Sequence, residues 1–285
     1  MTQIIDGKLI SNQIKEELKD KVTKYIEEGI TFSLAVIQVG TDPASSVYVR
    51  NKKNACSAIG IESLAYELPE ETTEEELLQL IQQLNKDEKV HGILVQLPVP
   101  KHIREDVVVQ SVVKEKDVDG FHMANVGALS MGQPGFVSCT PAGVIQLLKR
   151  SNISIEGKEC VVVGRSNIVG KPMAMLLMRE NGTVTVCHSR TRNLRDVTKR
   201  ADILVAAIGQ PKMIDDSYVK EGAVVIDVGI HRMENGKLCG DVDYDKVYPI
   251  ASAITPVPGG VGPMTIAMLM NNCVEAGLRA SKEKH

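Results

Sequence analysis

Tyr48 and Lys52 stand four residues apart in the stretch YVRNK. A phenol and an amine at that spacing can exchange protons if the segment is helical. Four residues then advance about 400°, which brings the second side chain to within about 40° of the first. Lys53 lies roughly a further 100° round and points elsewhere. Burial penalises the charged form of a lysine and moves its pKa toward neutrality, so a desolvated Lys52 gains the capacity to act as a base. An exposed lysine on an amphipathic helix fits the same five residues. Two other stretches bear on the choice. In GILVQLPVP, Gln96 stands just past the carboxyl end of a strand, the usual ligand position in an open α/β sheet. Its neutral amide can hydrogen-bond a lysine in either protonation state. In KDVDGFH, Asp117 and Asp119 form an acid pair before a glycine. No histidine or third carboxylate is spaced to complete a metal shell there, so no metal site is expected. DVDYD at 241–245 fails as a calcium loop, with Lys246 where glycine belongs and Ser252 where the bidentate glutamate belongs.

A second chemistry is written in VVVGRSNIVGKP, residues 161–172. A glycine-bearing turn between a buried strand and a helix offers unpaired N–H groups and the positive end of a helix dipole to a pyrophosphate. The spacing is G-x-S-x-x-x-G: Gly164 for the tight turn, Gly170 for close packing, and Ser166 in place of the usual middle glycine. The next strand ends in CHSRTR, with no acid where NAD-selective sites place one. Arg165, Arg190 and Arg192 suit the extra phosphate of NADP, because guanidinium matches phosphate with forked charge-assisted bonds. A solvated basic surface is the competing reading. In short-chain dehydrogenases a Tyr-x-x-x-Lys pair follows the glycine loop. Here it precedes the loop by more than a hundred residues, so Tyr48 and Lys52 belong to a different domain from the cofactor.

The elements needed to hold these residues are legible as an alternation of apolar β-branched runs with helical stretches, an α/β pattern with parallel sheet. Helices are expected over 11–28, 43–60, from TTEEELL onward, over 140–150 as a bridge between two domains, over 170–180 and over 264–278. Strands are expected over 32–40, 62–68, 90–100, 159–164, 183–189, 201–209 and 223–230, with a proline- and glycine-rich loop over 255–263. A length of 285 residues suits about two domains. A net charge of −3 creates no field that would gather nucleic acid or an anionic membrane. The N-terminus lacks the pattern of a signal peptide, and the apolar runs are too short to span a bilayer. The six cysteines form no C-x-x-C pair, which argues against a zinc knuckle or dithiol motif. Cys160 and Cys187 read as core residues, and a reduced, cytoplasmic setting is expected.

Taken in order, YVRNK, GILVQLPVP, KDVDGFH, CTPAG, VVGRSNIVGKP, VIDVGI and TPVPGGVGPMT resemble the motifs of the bifunctional methylenetetrahydrofolate dehydrogenase/methenyltetrahydrofolate cyclohydrolase family over nearly the whole chain. Ser138 and Lys171 are small departures. The resemblance implies an N-terminal α/β folate domain over 1–139, rejoined by a C-terminal helix over 264–285. It implies a Rossmann-like, doubly wound NADP domain over 140–263, with a cleft between the two. It implies NADP-dependent oxidation of 5,10-methylenetetrahydrofolate, then hydrolysis of the methenyl product to 10-formyltetrahydrofolate. Lys52 would be the acid/base residue of the hydrolytic step, with Tyr48 and Gln96 orienting it and the folate, and Asp119 would hold the pterin. Val95, Leu97, Pro258, Gly259 and Gly260 would border the folate. Gly164, Arg165, Ser166, Ser189 and Ile230 would bind NADP. A homodimer with no nucleic-acid or membrane partner is implied as well. A shikimate- or amino-acid-dehydrogenase-like enzyme and a non-catalytic NADP-binding module are the rivals. The joint presence of Tyr48, Lys52, Gln96 and Asp119 separates them.

Overall fold

This computed structural model describes residues 1–41 and 43–282 of the chain; residues 283–285 of the expected C-terminal helix lie outside the described residues. From the N-terminus a short strand β1 (Gln3–Ile4) leads into α1 (Gly7–Glu27). The helix starts four residues before the expected Ser11, because the Asp6 carboxylate accepts the Leu9 N–H at 2.9 Å and so caps the first turn. Next come β2 (Ser33–Val39), α2 (Pro43–Ile59) and β3 (Glu62–Leu68). Then follow α3 (Glu74–Lys86), β4 (Gly92–Val95), α4 (Glu105–Ser111) and α5 (Met123–Ser130). α4 and α5 are not announced by the sequence pattern: the valine run in α4 has strand preference, and Gly127 weakens α5 as a helix. The chain continues through α6 (Cys139–Arg150), β5 (Glu159–Val163), α7 (Gly170–Arg179), β6 (Thr183–Cys187), α8 (Leu194–Thr198) and β7 (Ile203–Ala206). It ends with β8 (Val224–Asp227), β9 (His231–Arg232), β10 (Leu238–Cys239), α9 (Tyr244–Val247), β11 (Ala253–Ile254) and α10 (Val261–Lys282).

These elements form two compact units. One comprises Met1–Asn12 and Ser138–Thr265; the other comprises Gln13–Val137 and the chain from Ile266 onward. The first holds a six-stranded sheet in the order β1-β11-β8-β7-β5-β6 with every pairing parallel. Its central strands β7 and β8 are buried along their whole length, which explains their unbroken apolar sequences. β1 joins this sheet beside β11, so the first residues of the chain belong with its later part. α6 lies wholly inside this unit, packed on α7, rather than bridging two domains. Cys160 and Cys187 are buried core residues of the same unit.

The other unit holds a three-stranded parallel sheet in the order β3-β2-β4. β2, in the middle, is buried at all seven residues, whereas β3, at the edge, is only half-buried. α3 covers the sheet with Leu77, Ile81 and Leu84, one buried residue per turn. It is started by a capping box in which Thr73 and Glu76 satisfy each other's backbone N–H groups. α2 lies against β2 and β3. The carboxyl ends of β2 and β4 and the inner face of α2 carry the first group of chemical residues.

Candidate active site

α2 buries Val49, Lys52, Ala55, Cys56 and Ile59, the face that a helical repeat predicts, while Lys53 is exposed. Lys52 is only 9% exposed. Its Nζ donates to Gln96 Oε1 at 2.9 Å. Gln96 is held for this task from two sides. Its backbone N–H continues the β4 ladder to Ile37 O at 2.8 Å, and its Nε2 donates to Leu97 O at 2.7 Å. With the amide nitrogen so engaged, the oxygen is the group turned to the amine. Val95 is buried beneath, Leu97 packs on the core of this unit, and the Leu97–Pro98 peptide is cis. Tyr48, one turn before Lys52, is 40% exposed.

The acid pair in KDVDGFH divides into two roles. Asp117 is 4% exposed and accepts Phe121 N–H at 3.1 Å, His122 N–H at 2.8 Å and Asn125 Nδ2 at 2.8 Å. It closes the loop on itself. From α10, Asn272 Nδ2 donates to Val118 O at 2.8 Å and Val137 O at 3.0 Å, and Ile93 N–H reaches Lys116 O at 2.8 Å. Asp119 is presented between these tethers, half-buried. Burial pushes its carboxyl up to about 6, against the pull of the Lys52 charge, and Asp117 adds to the rise. Lys52, Gln96 and Asp119 therefore form one electrostatically linked group. Among the described residues no set of three His, Cys, Asp or Glu side chains could hold a metal ion. The tethering by Asp117, Asn125 and Asn272 is not visible in the sequence, since nothing in spacing alone separates a loop-closing aspartate from a ligand-binding one.

In the other unit the turn after β5 is a pinch point. Gly164 has φ +139°, and a Cβ there would sit 2.1 Å from Ala207 O. A Cβ on Gly170 would sit 2.2 Å from Gly164 O. Strand end, helix start and the loop after β7 thus meet without room for a side chain, as a phosphate-binding βα turn requires. Ser166 does more than occupy the middle position: its Oγ accepts the N–H groups of Val169 at 3.2 Å and Gly170 at 3.3 Å. Ser138 Oγ donates to Ile168 O at 2.5 Å and steadies the same loop. β5 and β6 pair with Val163 opposite Cys187, so Arg165 and Ser189 both lie two residues past one rung. Both are exposed, as are Arg190 and Arg192. Ile230, after β8, is 48% exposed. The donor set at the end of β6 contains arginine and serine and no acid, which fits an adenosine phosphate.

The Pro258–Gly260 segment is shaped from an unexpected quarter. The start of α1 lies against it: Lys8 N–H donates to Gly259 O at 2.9 Å, and a Cβ on Gly7 would sit 1.8 Å from Gly260 O. Gly7 is a positional requirement that the sequence analysis missed. Its only local signal is a glycine in the first turn of a helix, where glycine is a poor helix former.

Two family models cover the chain. Residues 5–119 match "Tetrahydrofolate dehydrogenase/cyclohydrolase, catalytic domain", and residues 138–281 match "Tetrahydrofolate dehydrogenase/cyclohydrolase, NAD(P)-binding domain". The chain is 69% identical over 276 residues to the bifunctional protein FolD of Agathobacter rectalis, covering 97% of this chain and 99% of that protein. Among solved structures it is similar to the FolD methylenetetrahydrofolate dehydrogenase/cyclohydrolase of Campylobacter jejuni. That match has a TM-score of 0.96 and 51% identity, covering 98% of this chain and 99% of the other. The Trypanosoma brucei methylenetetrahydrofolate dehydrogenase-cyclohydrolase complexed with NADP and an inhibitor matches with a TM-score of 0.94 and 38% identity, covering 99% of each chain.

Proposed function

The chain belongs to the tetrahydrofolate dehydrogenase/cyclohydrolase family, and from that premise we propose how its own residues divide the work. It is a bifunctional one-carbon folate enzyme. It oxidises 5,10-methylenetetrahydrofolate with NADP and hydrolyses the methenyl product to 10-formyltetrahydrofolate. Folate is assigned to the unit that holds Lys52, Gln96 and Asp119, with Tyr48, Val95 and Leu97 lining it. NADP is assigned to the unit of Gly164, Arg165, Ser166, Ser189 and Ile230, which also carries Pro258, Gly259 and Gly260. The observation that carries the catalytic assignment is the Lys52–Gln96 hydrogen bond of 2.9 Å beside Asp119.

Bound NADP supplies the hydride acceptor. The side chains contribute alignment to that step, because the folate nitrogen lone pair assists hydride departure without a strong base. Hydrolysis asks more of the protein. Water adding to the methenyl carbon loses one proton to Lys52, which leaves a neutral carbinolamine. When the bond from that carbon to the ring nitrogen breaks, Lys52 returns its proton to the nitrogen, and the remaining hydroxyl proton leaves to solvent as the formyl C=O forms. Repulsion between the methenyl cation and an ammonium favours the basic form of the amine when this substrate is bound. Gln96 Oε1 holds Nζ in place through either state, since an amide oxygen accepts from –NH₂ as well as from –NH₃⁺. Asp119 takes the guanidine-like edge of the pterin with two acceptor oxygens.

The test is a coupled assay. Purified protein with methylenetetrahydrofolate and NADP gives a rise in methenyl absorbance, followed by decay faster than in buffer. No NADP-dependent rise would remove the oxidation, and decay at the buffer rate would remove the hydrolysis. A cofactor swap follows from the strand-end geometry. Arg165→Ala combined with Ser189→Ala raises KM for NADP about 100-fold, the equivalent of ~3 kcal/mol of charge-assisted bonding. KM for NAD stays near its original value, and an unaltered NADP-to-NAD preference places the phosphate elsewhere. We assign the protein further to the cytoplasm as a homodimer. Six free thiols suit a reducing compartment, and the edge strand β3 offers an unpaired row of backbone groups to a second copy. Cell fractionation and sedimentation check both, and a monomeric mass removes the dimer.

A further inference from the structure

The most densely bonded carboxylate of the dinucleotide unit has no role in the reaction as described so far. Asp241 is fully buried. Its Oδ2 accepts the N–H groups of Ile208 at 2.6 Å and Gly209 at 3.0 Å. Its Oδ1 accepts Gln210 N–H at 3.0 Å and lies 2.8 Å from His231 Nε2. The bonded partners belong to two segments that follow the carboxyl ends of adjacent strands. Ile208–Gln210 follow β7 directly after Ala207, whose carbonyl is the atom pinched against Gly164. His231 follows Ile230 after β8. A second carboxylate supports the arrangement from below. Asp227, 3% exposed, accepts Gly229 N–H at 3.0 Å, Asp241 N–H at 2.9 Å and Val242 N–H at 3.0 Å. Gly240 leaves space for it, since a Cβ there would lie 1.9 Å from Asp227 Oδ2.

We propose that Asp241 is a positioning residue for NADP: by gathering Ile208, Gly209, Gln210 and His231 on one carboxylate it fixes the β7 loop and the Ile230 segment against the glycine turn at Gly164. The inference rests on the assignment of NADP to this unit. A carboxylate is required because every partner is a donor. An asparagine of the same shape would bring its own NH₂ against backbone N–H groups, leaving donors facing donors around a fully buried side chain. The loops then have to separate, and the glycine turn loses the wall that Ala207 provides. Water addition to the methenyl cation uses no dinucleotide, so a cofactor-positioning role and a general structural role predict different outcomes.

The experiment compares wild type, Asp241→Asn and His231→Phe by NADP titration, by dehydrogenase kinetics and by cyclohydrolase turnover of preformed methenyltetrahydrofolate. Asp241→Asn is expected to raise Kd and KM for NADP about tenfold or more, with cyclohydrolase turnover within about twofold of wild type. His231→Phe keeps the ring volume, loses one of the four bonds, and is expected to raise KM for NADP about threefold with unchanged hydrolysis. NADP affinity equal to wild type in a folded Asp241→Asn protein overturns the proposal, as does a parallel loss of both activities. Should Asp241→Asn fail to accumulate, His231→Phe decides: an unchanged KM for NADP overturns the proposal. The wild-type titration is read first, because failure of the wild type to bind NADP removes the underlying assignment and not only the role of Asp241.

Discussion

Lys52→Met stops the hydrolytic half of the reaction: cyclohydrolase turnover falls about 10³-fold, within the range that a lost acid/base group produces, while NADP affinity is unchanged. Methionine suits the site as a probe. It matches the lysine stem in length and flexibility, and a position only 9% exposed accepts an apolar chain. What disappears is the Nζ that Gln96 Oε1 now meets at 2.9 Å. Gln96 is itself half-buried and can replace that donor with water, so the fold should tolerate the change. Lys52→Arg separates two explanations that methionine leaves together. Guanidinium keeps a positive charge beside Asp119 but cannot give up its proton near neutral pH. If proton exchange is the task, arginine is as inactive as methionine; if charge is the task, arginine restores turnover. The measurement is single-substrate decay of methenyltetrahydrofolate. A methionine variant within about threefold of wild type takes Lys52 out of the mechanism.

How much of this is legible in the sequence depends on how local the cause is. The Lys52 face of α2 followed from helical periodicity, because Val49, Cys56 and Ile59 mark the buried side and place Lys52 among them. The glycine turn at Gly164 was equally plain, since a β-strand, a pinch and a helix are consecutive in the chain. Boundaries differ from the pattern at both kinds of element: the Asp6 cap begins α1 early, and the strands from residue 183 onward stop short of their apolar runs. Contacts between segments distant in sequence left no trace. Nothing near Asp117 says that Asn272 will tie Val118 to Val137. Nothing near Gly7 says that Gly260 will lie against it. In the sequence Asp241 reads only as part of a failed calcium loop. Its partners in the loop after β7 lie some thirty residues earlier in the chain, brought close by the sheet order β8-β7-β5.

Asp119→Asn weakens folate binding and strengthens the fold, and both effects are largest at high pH and fade as pH falls toward 4. An ionised carboxylate accepts twice from the pterin edge, whereas an amide accepts once and repels with its own N–H groups. The expected cost is about 100-fold in KM for methylenetetrahydrofolate, corresponding to ~3 kcal/mol of charge-assisted bonding. KM for NADP should change less than twofold. Burial has raised the Asp119 carboxyl to about 6. In the wild type KM for the folate is therefore flat above pH 7 and climbs as pH falls through 6, while in the asparagine variant it is flat throughout. Stability runs the other way. A raised folded-state pKa means that the protonated form is the one the fold prefers. The contribution of Asp119 is most favourable below its unfolded value near 4 and is lost as pH rises through 6. Asparagine mimics the protonated form at every pH. It should be the more stable protein at pH 8, by up to about 3 kcal/mol, with the advantage shrinking toward pH 4. Denaturant unfolding of both proteins at pH 5 and pH 8 reads this directly. A constant difference across that range would mean that Asp119 carries no burial cost, and a pH-independent wild-type KM would mean that its ionisation does not hold the pterin.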